Sequence, residues 1–151
     1  MEKGQDAGKS ELVAAVRVRG NPKVKKEIRD TLKMLRLNRV NHCVLVPKTP
    51  DFEGMLRKSM NYVTYGEIDR DTLEALILKR GRKPGNKRLE KQEAKELAGK
   101  AMKVELKGSH MVPVFRLSPP SGGHSEIRRL YPKGSLGYRG GDINKLLKRM
   151  M

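Results

Sequence analysis

Strand-like and helix-like patterns alternate along residues 12–80, and this order restricts the possible folds more than any other feature of the sequence. Between Leu12 and Arg19, apolar side chains at every second position predict a half-buried strand. His42 to Val46 predicts a short apolar strand, and Tyr62 to Ile68 predicts a third one, rich in aromatic and β-branched residues. With the intervening helical patterns, the order β-α-β-α-β-α predicts an α+β core domain over residues 11–80, with two helices on one face of a small sheet.

Capping signals place the ends of three helices in this domain. Asn21-Pro22 predicts the start of the first helix, and Asn38 predicts a left-handed stop after it. Thr49-Pro50-Asp51 opens the second helix, with acidic residues favourably placed in its first turn. Asp69 caps the third helix, which ends at Lys79-Arg80 before a glycine.

Residues 81–151 change in character and predict a basic extension of the domain. Gly81 to Arg88 predicts a basic loop, and a charged helix follows from roughly Leu89 to Lys100. Val112 to Leu117 predicts an edge strand, because proline at its second position cannot donate a ladder hydrogen bond. After a segment rich in glycine and proline, Asp142 to Met150 predicts a terminal helix.

The formal net charge of +17 on 151 residues indicates a polyanionic partner. The basic residues fall into blocks on either side of a mildly acidic stretch, residues 61–78.

No apolar run approaches the roughly 20 residues that span a bilayer, and the polar residues 1–10 predict a flexible N-terminus without a signal-peptide core. With a single cysteine, Cys43, and no internal disulfide, the sequence predicts a cytoplasmic protein that binds no membrane.

The sequence contains none of the common catalytic or metal-binding motifs. G-x-S-x-G, H-E-x-x-H and C-x-x-C are all absent. His42 and Cys43 are adjacent, but the remaining histidines lie far along the chain, so no zinc-ligand spacing is present. We therefore predict no enzymatic activity, no metal, no cofactor and no small-molecule substrate. A small enzyme that uses Cys43 or the acidic group around Glu67 is a rival hypothesis.

Three groups of basic residues predict contacts with RNA. One face of the first helix carries basic residues and no acid, the Gly81–Arg88 loop exposes charges around Pro and Gly, and the segment 116–141 mixes Arg, Tyr and Gly. A membrane is a poor alternative because the apolar stripe of that helix is occupied by the sheet. DNA is a poor alternative because no helix offers a set of residues for reading the major groove. The predicted RNA-binding residues are Arg17 and Arg19 on the first strand; Lys25, Lys26, Arg29, Lys33 and Arg36 on the helix face; Arg82, Lys83, Lys87 and Arg88 in the loop; and Arg128, Arg129, Tyr131, Lys133, Tyr138 and Arg139 in the tail.

Several motifs in these segments resemble the L-thirty family of large-subunit ribosomal proteins. They are Thr31-Leu32-x-x-Leu35-x-Leu37-x-x-Val40-x-His42, Lys48-Thr49-Pro50-x-x-x-Gly54-Met55 and the strand from Val63 to Glu67. The tail, with Pro113-Val-Phe-Arg-Leu and Leu136-Gly-Tyr-Arg-Gly140, resembles the long archaeal form of that family, which is related to the eukaryotic L-seven.

The resemblance implies a ferredoxin-like β-α-β-α-β fold and a structural role in the large, 50S-type ribosomal subunit without catalysis. It implies binding to large-subunit (23S-type) rRNA, with 5S rRNA and neighbouring ribosomal proteins as further candidate partners. It also implies that the first helix, His42 and Lys48 lie against rRNA. A free RNA chaperone or regulatory RNA-binding protein with the same basic surface is the alternative.

Overall fold

The computed structural model describes residues 12–20, 22–85, 87–102, 114–124 and 126–151. The predicted flexible N-terminus at residues 1–10 and the predicted capping role of Asn21 lie outside these ranges. The elements are, in chain order, β1 (Leu12–Arg17), α1 (Lys26–Met34), β2 (His42–Pro47), α2 (Pro50–Lys58), β3 (Val63–Glu67), α3 (Arg70–Arg80), β4 (Arg82–Lys83), β5 (Lys87–Arg88), α4 (Lys91–Met102), β6 (Val114–Arg116), β7 (Gly137–Tyr138) and α5 (Ile143–Met150).

The central sheet has five strands in the order β6-β2-β1-β3-β7. Strand β1 pairs antiparallel with both β2 and β3, so β2 and β3 run in the same direction on either side of it. Helix α2 connects these two strands past β1, which is the split β-α-β arrangement of ferredoxin-like folds. The sheet confirms the predicted fold class, and β6 confirms the predicted edge strand.

Alternate residues of β1 contribute to two separate hydrophobic clusters, one on each face of the sheet. Val13 and Ala15 pack with Leu32 of α1 and Leu56 of α2. Leu12, Ala14 and Val16 pack with apolar residues of α3, α4 and α5 on the opposite face. Helices α1 and α2 therefore share one face as predicted, whereas the apolar stripe of α3 is buried on the other face. The prediction that the helices lie on one face of the sheet is therefore wrong for α3. Because helices cover both faces, all six residues of β1 are buried, and the prediction of a half-buried strand is also wrong.

The prediction that the first helix starts at Pro22 and stops at Asn38 is wrong at both ends. Helix α1 begins at Lys26, because Lys23 has a φ of 58° and interrupts any helix that starts at Pro22. It ends at Met34, and Arg36 with a φ of 62° takes the left-handed conformation predicted for Asn38. The starts of α2 and α3 agree with the prediction, and the Oγ1 atom of Thr49 accepts a hydrogen bond from the N–H group of Phe52 at 3.4 Å.

The segment that follows α3 forms a small hairpin where the sequence predicted a loop. Strands β4 and β5 pair antiparallel, and Gly85 in the connection has a φ of 87°. A residue with a side chain adopts that conformation only at a cost, so the Pro-Gly sequence is suited to this turn. The charged helix and the terminal helix predicted farther along correspond to α4 and α5.

Residues of the predicted extension complete the core of the domain. Phe115 of β6, Leu146 and Leu147 of α5, and Leu89 before α4 belong to the same cluster as Leu12 of β1. The short strand β7 pairs parallel with β3 and brings the tail alongside the sheet. Residues 12–80 and 81–151 therefore share one hydrophobic cluster. In the described ranges, no helix combines the length and apolar character needed to cross a membrane.

Candidate nucleic-acid interface

The exposed face of α1 displays all five of the basic side chains predicted there. Lys25 is the N-cap residue, and Arg36 follows the last turn in the left-handed conformation, so the row extends beyond both ends of the helix. Among the described residues, none of the five takes part in an ion pair. An unneutralised row of cations of this kind attracts phosphate groups. The exposed members are Lys25, Lys26, Arg29, Lys33 and Arg36.

The β4–β5 hairpin carries a second basic group on the other side of the sheet. Leu89, directly after β5, packs in the cluster opposite to the one that α1 covers. Lys87 and Arg88 are exposed, whereas the Nζ atom of Lys83 lies 2.7 Å from Oε1 of Glu93. The structure therefore does not bring the α1 face and the hairpin onto one face of the sheet.

Arg17 is buried, and this contradicts its predicted contact with RNA. Only 2% of Arg17 is exposed, and its guanidinium group donates hydrogen bonds to the carbonyl oxygens of Leu37 at 2.8 Å and Arg19 at 2.9 Å. Arg17 thus joins β1 to the end of the segment that carries α1. Arg19 is half-buried, with its guanidinium carbon 5.3 Å from the centre of the Tyr62 ring. This is a cation–π contact that leaves Arg19 at the surface.

His42 lies among three arginines. It is the register partner of Arg116 across β2 and β6, and its N–H group donates to the carbonyl oxygen of Arg39 at 3.3 Å. Partial burial lowers the pKa of His42, and the charges of Arg116, Arg39 and Arg17 lower it further. The imidazole is therefore neutral at pH 7, and the positive charge beside it comes from Arg39 and Arg116.

The loop before β7 exposes the basic side chains of the tail. Arg128, Arg129 and Lys133 are all exposed, and Nε of Arg129 lies 3.3 Å from a carboxylate oxygen of Glu126. Exposed ion pairs of this kind are weak, so Glu126 leaves Arg129 able to bind another anion.

Tyr131 and Arg139 fasten the tail to the sheet. Nε of Arg139 donates to Oγ1 of Thr64 at 2.8 Å, and its NH2 group donates to the carbonyl oxygen of Ser135 at 2.9 Å. The same guanidinium lies 5.3 Å from the centre of the Tyr131 ring, and the Tyr131 hydroxyl donates to the carboxylate of Asp142. Both side chains are half-buried, and their polar atoms are used within the protein. The structure thus gives them a role in packing that the sequence pattern did not indicate.

Lys48 and Tyr138 meet at the carboxylate of Glu67. Glu67 is the last residue of β3, and its Oε1 atom lies 3.1 Å from Nζ of Lys48. The Tyr138 hydroxyl lies 2.6 Å and 2.7 Å from the two carboxylate oxygens of Glu67. This hydrogen bond, with partial burial, raises the pKa of Tyr138 to about 12.

These three side chains border an open cleft of about 310 Å³, which we name the Glu67 cleft. Strands β1, β3 and β7 and helix α2 contribute its lining. Partial burial alone would raise the pKa of Glu67, but hydrogen bonds from Tyr138, the backbone and Lys48 outweigh it and lower the pKa below its ordinary value. The residues that line the cleft are Val13, Lys48, Glu53, Leu56, Arg57, Tyr65, Glu67 and Tyr138.

Cys43 is fully buried in the core, whereas a nucleophilic cysteine needs access to its substrate and a polar environment that stabilises the thiolate. Burial raises the pKa of its thiol to about 12, whereas reactive cysteines have a lowered pKa. In the described part of the chain, no three His, Cys, Asp or Glu side chains converge on a point that could hold a metal ion.

The residues that sequence reasoning missed are Arg39, Arg116, Tyr65 and Glu67. The alternation of β3 places Tyr65 and Glu67 on one face of the strand, and this pattern could have paired them. The approach of Arg116 to His42 depends on the register between β2 and β6, which are separated by more than 60 residues and carry no short-range signal.

Comparisons with known proteins point to one family. The sequence pattern that describes ribosomal protein L30p/L7e matches residues 13–63. A large ribosomal subunit protein uL30 from Methanococcus maripaludis is 51% identical, and the alignment covers 91% of this chain and 98% of the relative. Proteins of the same name from Archaeoglobus fulgidus and Methanosphaera stadtmanae are 45% and 41% identical, over 92% and 93% of this chain and 99% and 100% of the relatives. The similarity therefore extends beyond residue 63 into the C-terminal part of the chain.

Proposed function

Because this chain belongs to the L30p/L7e family of ribosomal proteins, in the form found in archaeal uL30 proteins, we propose that it binds and stabilises large-subunit rRNA. The family is structural and non-enzymatic, and the relatives aligned with this chain are named as proteins of the large ribosomal subunit. The proposal places the chain in that subunit, with 23S-type rRNA as its main partner and with 5S rRNA and neighbouring ribosomal proteins as further partners.

The unpaired basic row on α1 is the observation that carries this proposal. Its five cations are exposed and form no ion pair within the described residues. When such cations approach RNA, they replace condensed counterions, and the release of those ions favours binding. Contacts with phosphates fix the position of the protein on the RNA without reading a sequence.

The surrounding residues support the same function to different degrees. Lys87, Arg88, Arg128 and Lys133 are exposed and form no ion pair in the described part of the chain, so we include them as phosphate contacts. Arg39 and Arg116, beside His42, are additions that come from the structure. Arg17 is excluded by its burial, and Tyr131 and Arg139 act through the packing of the tail.

Sedimentation of a lysate of the cells that make this chain tests the proposal. We expect the full chain to travel with the large subunits through a sucrose gradient and to stay with them after a moderate salt wash. Detection in the fractions by mass spectrometry measures this directly, with an established large-subunit protein as the reference. A chain found only in the ribosome-free fractions would contradict the proposal and favour a free RNA chaperone or regulatory RNA-binding protein.

A further inference from the structure

The Glu67 cleft combines an apolar surface with charges of both signs. Its floor is apolar, with Val13 and Leu56, while Lys48 and Arg57 bring positive charge and Glu53 and Glu67 bring negative charge. Its volume of about 310 Å³ is large enough for a single nucleobase and too small for a folded element. A cleft of this kind differs from the α1 face, which offers only positive charge.

Two tyrosine rings provide aromatic surface in the cleft. The ring centres of Tyr65 and Tyr138 are 5.5 Å apart, and the rings are tilted by 49°. Tyr138 is 53% exposed although its hydroxyl is held by Glu67, so its ring is fixed in place and still accessible. Aromatic rings that are fixed and accessible are the usual stacking partners of unpaired bases in RNA-binding proteins.

The carboxylate of Glu67 is the polar group that could read such a base. Its lowered pKa keeps it ionised at pH 7, and an ionised carboxylate only accepts hydrogen bonds. A carboxylate offers about four lone-pair positions, and the two donors on it, the Tyr138 hydroxyl and the Lys48 ammonium group, leave acceptor capacity. The matching ligand therefore presents hydrogen-bond donors next to a flat ring.

We propose that the Glu67 cleft binds one unpaired guanine of the large-subunit rRNA, an inference that rests on the proposed function. Guanine is the base whose Watson–Crick edge carries two adjacent donors, N1–H and N2–H, which suit a carboxylate. The base stacks on Tyr138 and Tyr65, and its edge donates to Glu67. Lys48 and Arg57 lie close enough to the cleft to contact the phosphates that flank the base.

A basic side chain from a neighbouring protein is the competing occupant, because a guanidinium group could also pair with a carboxylate. Within the cleft, the charges of Lys48 and Arg57 are balanced by those of Glu53 and Glu67, so the local charge does not select between the two occupants. The net charge of +17 places the cleft in a positive field, and this field favours an anionic partner.

Substitution of Glu67 distinguishes hydrogen bonding to a base from a purely electrostatic effect of the carboxylate on RNA binding. In an RNA-binding protein, neutralising a carboxylate that contributes only charge makes binding equal or tighter, because it removes repulsion. If Glu67 accepts hydrogen bonds from guanine, Glu67→Gln instead weakens binding, by about tenfold. Glu74→Gln on α3 is the matched control, since Glu74 is also partly exposed, at 32% against 24% for Glu67, and also lies beside a basic side chain.

The experiment measures binding of the full chain to deproteinised large-subunit rRNA by filter binding, together with kethoxal probing, which modifies N1 and N2 of unpaired guanines. The wild-type chain should protect a guanine, the Glu67→Gln variant should lose this protection and bind about tenfold more weakly, and Glu74→Gln should behave like the wild type or bind more tightly. Tyr138→Leu, at an exposed position, should also lose the protection. Thermal unfolding of each variant within a few degrees of the wild type shows that the fold is intact.

Three outcomes would overturn the inference. One is a Glu67→Gln variant that binds as tightly as the wild type and keeps every guanine footprint. Another is a footprint that depends on Glu67 but lies at another base. The third is a carbodiimide crosslink from Glu67 to a neighbouring protein in intact subunits, which would identify a peptide occupant. If the wild-type chain itself failed to bind the rRNA, the proposed function would fail as well, so the two failures can be told apart.

Discussion

Truncation of Leu147 in the C-terminal helix tests whether this helix packs on the hydrophobic core in the absence of RNA. Leu147 lies on α5 and is fully buried, in one cluster with Leu73 and Ile77 of α3 and Leu12 of β1. The sequence predicted a basic extension of the domain, whereas the structure places α5 against the sheet and α3. Leu147→Ala removes apolar contacts that should exist only if this packing forms in the free protein.

The expected loss of stability follows from the burial of this side chain. Replacement of a fully buried leucine by alanine costs about 3–5 kcal/mol, the sum of the lost transfer free energy and the cavity that remains. For a chain of this length, each 1 kcal/mol lowers Tm by roughly 2–4 °C. We therefore expect Leu147→Ala to lower Tm by roughly 6–20 °C, which a domain with about 5–15 kcal/mol of stability can survive in the cold.

Thermal unfolding of the RNA-free chain, followed by far-UV circular dichroism, measures this change. The matched controls are Lys145→Ala and Lys148→Ala, which truncate exposed side chains on the same helix. Each control should change the free energy of unfolding by no more than about 0.5 kcal/mol. The contrast between the buried and exposed faces of one helix removes any general effect of substitution in α5.

A Leu147→Ala chain that unfolds at the same temperature as the wild type would refute this reasoning. It would show that α5 does not pack on the sheet in the free protein, and that the tail takes up its structure only in the presence of RNA. A large loss in the Lys145→Ala control would refute it too, because that side chain is exposed.

Three further predictions concern single positions. Gly66→Ala should sharply lower the yield of folded protein and its Tm, because a Cβ atom there would collide with the carbonyl oxygen of Gly140; unchanged stability would contradict this. The hydrogen bond from Tyr138 lowers the pKa of Glu67 in the folded state. Ionised Glu67 should therefore stabilise the folded chain above the ordinary pKa of about 4.5, and this stabilisation should disappear as the pH falls through the lower folded pKa. Urea unfolding of the wild type and Glu67→Gln from pH 6 to 3 should therefore show the wild type losing more stability, and parallel curves would speak against the contact. Cys43 should react with a thiol reagent only after unfolding, because burial raises its pKa to about 12; rapid reaction of the native chain would be inconsistent with that burial.

Local patterns in the sequence predicted the type and order of the elements in residues 12–80. Helix α2 begins after Thr49 and α3 ends before Gly81, as predicted, because these end signals act within a few residues. The position of α3 on the opposite face was not predictable, because the apolar stripe of a helix does not indicate which face of the sheet the helix covers. The left-handed residues Lys23 and Arg36 also gave no local signal, since neither is glycine or asparagine.

The candidate site was predictable where it depends on one element and not where it depends on several. The α1 face follows from helical periodicity, and its five side chains are exposed as expected. The burial of Arg17 depends on the carbonyl oxygen of Leu37, which tertiary structure brings to it. The meeting of Lys48, Glu67 and Tyr138 joins residues up to 90 positions apart, and no spacing rule reaches that far.

The salt dependence of rRNA binding tests most directly the claim that the α1 face holds phosphates. We expect the double variant Lys26→Glu with Arg29→Glu to reduce the slope of log K against log salt by about 1.4–1.8, since each lost phosphate contact removes about 0.7–0.9. The control, Lys91→Glu with Lys95→Glu on the exposed surface of α4, changes the net charge by the same amount and should leave the slope near the wild-type value. Equal slopes for the two double variants would contradict the account, because they would show that only the total charge of the chain matters and that the α1 face does not contact phosphate.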